Sequence, residues 1–339
     1  MAQQHLDPTT DTAAGPLPAD TLETYLRAQA TEFLRALRRH REDGTAGDPA
    51  GPAPAPDPHR PLRRAARRLS GTLHTFRPLL DAEWTEGTRP ELAWLSGMLA
   101  LEHAYADRLE RLLQALHRLS GTSGAPGTGP QTVVPGAARA AALLDRQLTL
   151  ARTRAHSTAL QALGSSRFHA VTDRIALLAS EVPLCPGSAA GADLRPLAAA
   201  AEARLADAVA ALPLHTAGHP YNAQALVHGL APDPAPHPQD APWHQVRLLL
   251  RLHRYAREAL AGQDATPDAP DHDPAGQALD RHRDAAEAAA AAAQAARTPR
   301  IAPATAYALG VLHADQRHEV EAARYAFQHS WRARRPGTR

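Results

Sequence analysis

A stretch in the last third of the chain carries four cationic side chains on one predicted helix face. Within Trp243–Glu258, steps of three, four and three residues separate His244, Arg247, Arg251 and Arg254. At 3.6 residues per turn these four positions share an arc of about 80°. Cations stacked along one face repel one another unless an anion lies across them. The pattern therefore indicates either a solvated basic face or a site for a polyanion.

A second stretch, between residues 60 and 76, repeats this spacing. Its arginines recur at the same steps of three and four, and one more follows directly: Arg60, Arg63, Arg67 and Arg68. When the two stretches are aligned, Arg63 lies on Arg247 and Arg67 on Arg251. A repeat at this distance indicates an internal duplication. We expect two basic helices that face each other across one cleft.

The two stretches resemble the CHAD domain, the conserved histidine α-helical domain. In that family each half opens with His-x-x-Arg-x-x-x-(Arg/Lys)-Arg-Leu-Arg. The second half matches this pattern at His244, Arg247, Arg251, Arg254, Tyr255 and Glu258, and the first half at Arg63, Arg67, Arg68, Leu69, Leu73 and Phe76. Arg167 and Phe168 resemble an Arg-aromatic step in a middle helix of the family. The resemblance spans about residues 20–332.

The first half departs most from the family pattern. Arg60 occupies the family's histidine position, and Ser70 that of an arginine. The segment 99–104 lacks the family's Arg-Asp pair, and Asp280 occupies a glycine position in the second half. The sequence is therefore identified as a stand-alone member with a degenerate first half.

The resemblance implies binding of inorganic polyphosphate without catalysis. Arginine suits this role because its planar fork grips phosphate with two hydrogen bonds and stays charged. The expected polyphosphate-binding residues are Arg60, Arg63, Arg67, Arg68, Arg167, His244, Arg247, Arg251 and Arg254. Two alternatives remain: binding of RNA through its phosphate backbone, and a degenerate helical scaffold that binds no ligand.

The composition limits which other functions the protein is expected to have. All 37 basic residues are arginines, which genome base composition equally explains, and the net charge is only +2. Any anion site must therefore come from local clustering. Neither a Gly-rich phosphate loop nor a metal-ligand spacing is present, so we expect no enzyme activity, no cofactor and no metal. Without an apolar run of membrane-spanning length, we expect a cytoplasmic protein. The family resemblance further implies an association with polyphosphate granules.

Apolar periodicity and the scarcity of β-branched residues predict an all-α fold. Helices are expected over 21–42, 60–80, 90–119, 136–163, 165–181, 192–212, 241–261, 275–297 and 303–333. We interpret them as two four-helix bundles of long helices, related by the pseudo-twofold duplication, with a basic central cleft. The predicted division is a disordered tail at 1–19, helical halves at 20–212 and 243–332, a connection at 213–242 and a basic tail at 333–339.

Overall fold

The computed structural model describes residues 19–45, 57, 59–121, 134–185, 187, 192–218, 237–262 and 273–333. The predicted tails 1–19 and 333–339 lie outside these residues except for Ala19, the first residue of α1, and Ala333, the last residue of α11. Most of the connection 213–242 also lies outside them. The helices are α1 (Ala19–Thr45), α2 (Arg60–Thr75), α3 (Ala82–Met98), α4 (Leu101–Leu119), α5 (Ala137–Leu163), α6 (Ser166–Ser180), α7 (Arg195–Ala210), α8 (Leu214–Ala217), α9 (Ala241–Ala261), α10 (Pro274–Ala296) and α11 (Pro303–Ala333).

The predicted all-α class is confirmed. The described residues form helices and no β-strand, apart from one isolated bridge between Leu80 and Leu184. Short 3-10 turns at Arg77–Leu79 and Pro238–Asp240 follow α2 and precede α9. The internal duplication stays a prediction.

The structure contains two large hydrophobic cores, each formed by several helices. The first joins α1, α2, α3 and α6, with fully buried side chains such as Phe33, Leu69 and Phe168. The second joins α4, α5, α10 and α11, where the small alanines of α10, such as Ala288, pack beside Leu309. Because alanine leaves little side chain between helix axes, α10 lies close to its neighbours.

A third core surrounds the first turns of α9. Trp243 and Val246 pack there against Leu205 of α7, Leu279 of α10 and Phe327 of α11. Helices from both sides of residues 213–242 therefore share the second and third cores. The basic helix α9 is held by helices from both parts of the sequence.

The expected single helix over 90–119 is wrong. The chain instead forms α3, which begins at Ala82 with Asp81 as its N-cap, and α4, which begins at Leu101. Leu95 and Leu99 belong to the first core, whereas Leu112 belongs to the second. The break after α3 lets one apolar stretch supply two different cores.

A membrane-spanning helix would need a long apolar run. None of the described helices is both long and apolar enough to cross a bilayer.

Candidate anion-binding site

The two basic helices α2 and α9 pack directly against each other at a glycine. A Cβ atom added to Gly71 would lie 2.5 Å from Cδ2 of Tyr255 and 3.3 Å from Cδ2 of Leu252. The missing side chain thus allows the close approach of the two helices. Arg67 and Arg251 each lie one helical turn before this contact on their own helix.

Arginines from both helices, together with one from α10, act on one another's charge. We call Arg63, Arg67, Arg247, Arg251 and Arg283 the arginine cluster. Burial lowers the pKa of Arg67, and repulsion by Arg63, Arg247 and Arg283 lowers it further. Burial likewise lowers the pKa of Arg247 to about 10, with Arg251 and Arg283 adding to the effect. Arg63, Arg247 and Arg283 therefore lie within electrostatic reach of Arg67, and Arg67 and Arg283 lie within electrostatic reach of Arg251.

Most members of the cluster have a carboxylate partner. Asp280 Oδ1 accepts a hydrogen bond from Arg247 Nε at 2.5 Å and lies 3.5 Å from Arg251 Nη2. Arg63 pairs with Asp57. Burial alone would raise the pKa of Asp280, but attraction to Arg247 and Arg251 outweighs this effect and lowers that pKa.

Arg283 completes the pairing on α10. Its Nη2 lies 2.5 Å from Asp284 Oδ1, and its Nε lies 3.8 Å from Glu287. Burial would lower the pKa of Arg283, but these carboxylates outweigh burial and raise it. Arg283 thus joins the cluster as an arginine that is itself held by acids.

Arg67 differs from the rest of the cluster. It is half-buried, and its buried Nε has no hydrogen-bond partner, a feature that it shares with Arg63. Among the residues that the structure describes, no carboxylate lies within the 4.0 Å of an ion pair. A partly desolvated cation surrounded by four other cations is unfavourable unless an anion joins it. An anion placed beside Arg67 would therefore relieve this repulsion.

Arg68 and Arg254 meet at a single glutamate. Arg68 Nε donates to Glu258 Oε2 at 2.7 Å, and the Tyr25 hydroxyl donates to the same oxygen at 3.1 Å. Arg254 Nε lies 3.6 Å from Glu258 Oε1, with its guanidinium over the Tyr255 ring. Buried Arg68 links α2 to α9, whereas Arg254 remains more open to solvent.

Arg60 and Arg167 do not belong to the arginine cluster. Arg60 is the exposed first residue of α2, with Pro61 in the first turn of the helix, and its charge still acts on Arg63. Arg167 pairs with Glu91 at 2.6 Å, and its guanidinium lies 4.0 Å from the centre of the Trp94 ring. The described charges acting on Arg167 come from Glu91, so the structure joins Arg167 to α3 rather than to the cluster.

His244 borders the cluster at the start of α9. Its ring is half-buried and meets the ring of His282 edge-on, with 5.5 Å between centres. Burial lowers the pKa of His244, and the charge of Arg247 lowers it further. His244 is therefore mostly neutral near pH 7 and offers an anion a hydrogen bond rather than a full charge.

Behind His244 lies a buried polar network that the sequence analysis missed. Asp240 is the residue before α9, but its side chain accepts no hydrogen bond from a backbone amide at the start of this helix. Its carboxylate accepts instead from Arg317 at 2.7 Å and Arg324 at 2.6 Å, both on α11. His282 lies 3.7 Å from the same carboxylate. We call these four residues the Asp240 network.

Arg283 was missed as a member of the cluster for a simple reason. It lies on α10, outside both basic stretches and three residues after Asp280. Asp280, noted there only as a substitution for glycine, is the carboxylate that holds Arg247 and Arg251. The departure from the family pattern in that segment was the available signal.

The protein is all-α and has a cluster of arginines between two packed basic helices, and this combination agrees with a known family. The family model of the CHAD domain matches residues 28–293, so the chain belongs to that family. Among solved structures, the chain is similar to PptA from Streptomyces chartreusis at 67% sequence identity. The similarity covers 94% of this chain and 100% of that chain, with a TM-score of 0.77. No curated protein matches the chain.

Proposed function

We propose that the protein binds inorganic polyphosphate at the arginine cluster and catalyses no reaction on it. The observation that carries the proposal is Arg67, a half-buried guanidinium without a carboxylate partner among the described residues. Its neighbours Arg63, Arg247 and Arg251 extend the positive charge along two helices. A chain of phosphates supplies the repeated negative charge that such an arrangement lacks.

A polymer suits the cluster better than a single anion does. Arginines one turn apart on α2 and α9 meet successive phosphates, and each contact makes the next one effectively intramolecular. Every phosphate that is neutralised releases counterions, so the affinity falls steeply with salt, as it does for nucleic acids. Membership of the CHAD family supports the choice of polyphosphate. A cytoplasmic location and association with polyphosphate granules remain predictions of this proposal.

RNA binding is the second candidate, since RNA also carries a repeated phosphate charge. Proteins that bind single strands without sequence preference usually stack bases on exposed aromatic rings. The aromatic residues of α2, α9 and their ends, Phe76, Trp243 and Tyr255, are all buried. The two helices therefore present guanidinium groups without a stacking surface, which favours polyphosphate.

A competition experiment tests the proposal against both alternatives. Labelled long-chain polyphosphate is bound to the full chain at low salt, and single-stranded RNA is added at equal phosphate concentration. We expect RNA to displace little of the label and added salt to release it. Displacement of the label by RNA at equal phosphate concentration favours RNA as the ligand. If no polyphosphate is retained at low salt, the protein is a helical scaffold that binds no ligand.

A single substitution locates the binding. We expect Arg67→Ala to weaken retention at least about tenfold, equivalent to about 1.4 kcal/mol. Arg27→Ala is the matched control, because Arg27 is half-buried like Arg67 but pairs with Glu23 on α1, outside the cluster. Equal retention by both variants contradicts the assignment of the site.

A further inference from the structure

Asp280 is shared by two members of the arginine cluster. A single oxygen, Oδ1, accepts from Arg247 at 2.5 Å and lies 3.5 Å from Arg251. By contrast, Asp57 and Asp284 each pair with one arginine of the cluster. The carboxylate of Asp280 therefore occupies the place where an anion bridging Arg247 and Arg251 would lie.

The exposure of the three side chains shows which of them a ligand meets first. Asp280 is 53% exposed, whereas Arg247 is 13% and Arg251 is 24% exposed. The arginines are thus the buried partners and the carboxylate is the accessible one. An anion that arrives from solvent meets a negative charge before it reaches these two guanidinium groups.

The cluster therefore has an open part and a closed part. Arg67 has no carboxylate to displace among the described residues, whereas Arg247 and Arg251 already hold one. A free anion that competes for Arg247 and Arg251 must overcome a carboxylate that is attached to the protein. A chain already held at Arg67 brings its next phosphates to that place at high effective concentration.

Resting on the proposed function, we propose that Asp280 is a built-in competitor that the phosphate chain displaces from Arg247 and Arg251. Capture begins at Arg67, and exchange of the Asp280 carboxylate for phosphate follows. Asp280 thus lowers the affinity for every anion that needs those two arginines. In the ligand-free protein it supplies the counter-charge that keeps two largely buried guanidinium groups from facing each other unpaired.

The test removes the charge of Asp280 and keeps the shape of its side chain. Binding of tripolyphosphate to the full chain and to Asp280→Asn is measured by calorimetry at one fixed salt concentration. We expect Asp280→Asn to bind about tenfold more tightly, equivalent to about 1.4 kcal/mol. Asp280→Ser is the second variant, and circular dichroism verifies that each variant keeps its helices.

A control variant separates the local effect from a general change in net charge. Glu91→Gln also removes one carboxylate from an arginine pair, but its partner Arg167 lies outside the cluster. We expect no gain in affinity for this control. The same gain for Glu91→Gln and Asp280→Asn overturns the proposal, because only net charge would then matter.

A double-mutant cycle tests whether Asp280 acts through its two arginines. In a protein that already carries Arg247→Ala and Arg251→Ala, we expect Asp280→Asn to change the affinity less than about twofold. A full tenfold gain in that background contradicts displacement.

The inference and the proposed function fail in different ways. If the unaltered protein retains polyphosphate through Arg67 but Asp280→Asn binds no more tightly, Asp280 is no competitor and the proposed function stands. If neither protein binds tripolyphosphate or long-chain polyphosphate, the proposed function is wrong and the inference falls with it.

Discussion

Arginine has different surroundings in two neighbouring regions of the protein, the Asp240 network and the arginine cluster. In the Asp240 network, two arginines of α11 are almost fully buried around a carboxylate that is only 2% exposed. In the arginine cluster, Arg63 is buried and the other four arginines are half-buried, and Arg67 lacks a carboxylate partner among the described residues. Arginine content alone does not distinguish the two places. The supply of counter-charge separates a structural arginine from one that awaits a ligand.

Electrostatics reinforces this contrast. Burial would raise the pKa of Asp240, yet hydrogen bonds and attraction to Arg317 outweigh burial and lower it. At Arg67 burial and neighbouring arginines act in the same direction, and both oppose the charged form. The charges of the first place are neutralised within the fold, and we expect the second place to gain stability when an anion binds.

Removal of the central carboxylate is expected to have the largest effect. Asp240→Ala leaves the buried Arg317 and Arg324 without their shared counter-charge. Breaking a buried ion pair in this way lowers the free energy of unfolding by about 3–5 kcal/mol. Chemical denaturation of Asp240→Ala beside the unaltered protein measures this loss. A loss below about 1 kcal/mol, the value typical of an exposed pair, contradicts the structural role of the network.

Removal of two arginines from the cluster is expected to reduce binding instead. We expect Arg247→Ala with Arg251→Ala to lower retention of polyphosphate at least about tenfold, or about 1.4 kcal/mol. Circular dichroism is expected to show unchanged helix content, because neither side chain belongs to a hydrophobic core. Retention equal to that of the parent protein removes these residues from the site.

The sharpest contrast with Asp240 comes from Arg67. Arg67→Met keeps the aliphatic packing of the side chain and removes a half-buried charge that repels its neighbours. We expect the free energy of unfolding without ligand to rise by about 1 kcal/mol, while polyphosphate binding weakens. Thermal unfolding with and without polyphosphate measures both effects. A less stable Arg67→Met protein shows that Arg67 already has its counter-charge within the fold.

The smallest expected effect concerns His282 in the Asp240 network. Burial holds the pKa of His282 well below its ordinary value of 6.5, and the charge of Arg324 adds to this effect. The unfolded chain therefore takes up a proton as the pH falls through 6.5, whereas the folded protein does not, and the free energy of unfolding falls.

This loss is expected to be less than about 1 kcal/mol between pH 7 and pH 6 for His282 alone. His282→Gln, which keeps an acceptor for Arg324, is expected to make the dependence shallower. The substitution is not expected to abolish the pH dependence, because burial also lowers the pKa of His59, His74 and His244. An unchanged slope in His282→Gln shows that His282 is not the group responsible.

The local features of the fold could be predicted well from the sequence. The expected ranges 241–261 and 303–333 agree with Ala241–Ala261 and Pro303–Ala333, since proline at the helix start and apolar periodicity are local signals. The break between α3 and α4 was not expected. It arises because Leu99 and Leu112 belong to different cores, which is a property of tertiary packing rather than of periodicity.

The site could be predicted only in part, for a related reason. The spacing of Arg67 and Arg251 correctly indicated that the two basic helices would meet. It did not indicate which arginines would be neutralised, because Arg68 finds Glu258 and Arg247 finds Asp280 far away in the sequence. Long-range partners decide whether a basic residue is structural, and a helical pattern carries no information about them.

A structure of the protein with bound tripolyphosphate tests the central claim most directly. We expect phosphate oxygens within hydrogen-bonding distance of the Arg67 guanidinium, and the Asp280 carboxylate moved away from Arg247 and Arg251. Tripolyphosphate bound elsewhere, with Arg67 untouched and Asp280 still paired, contradicts the account.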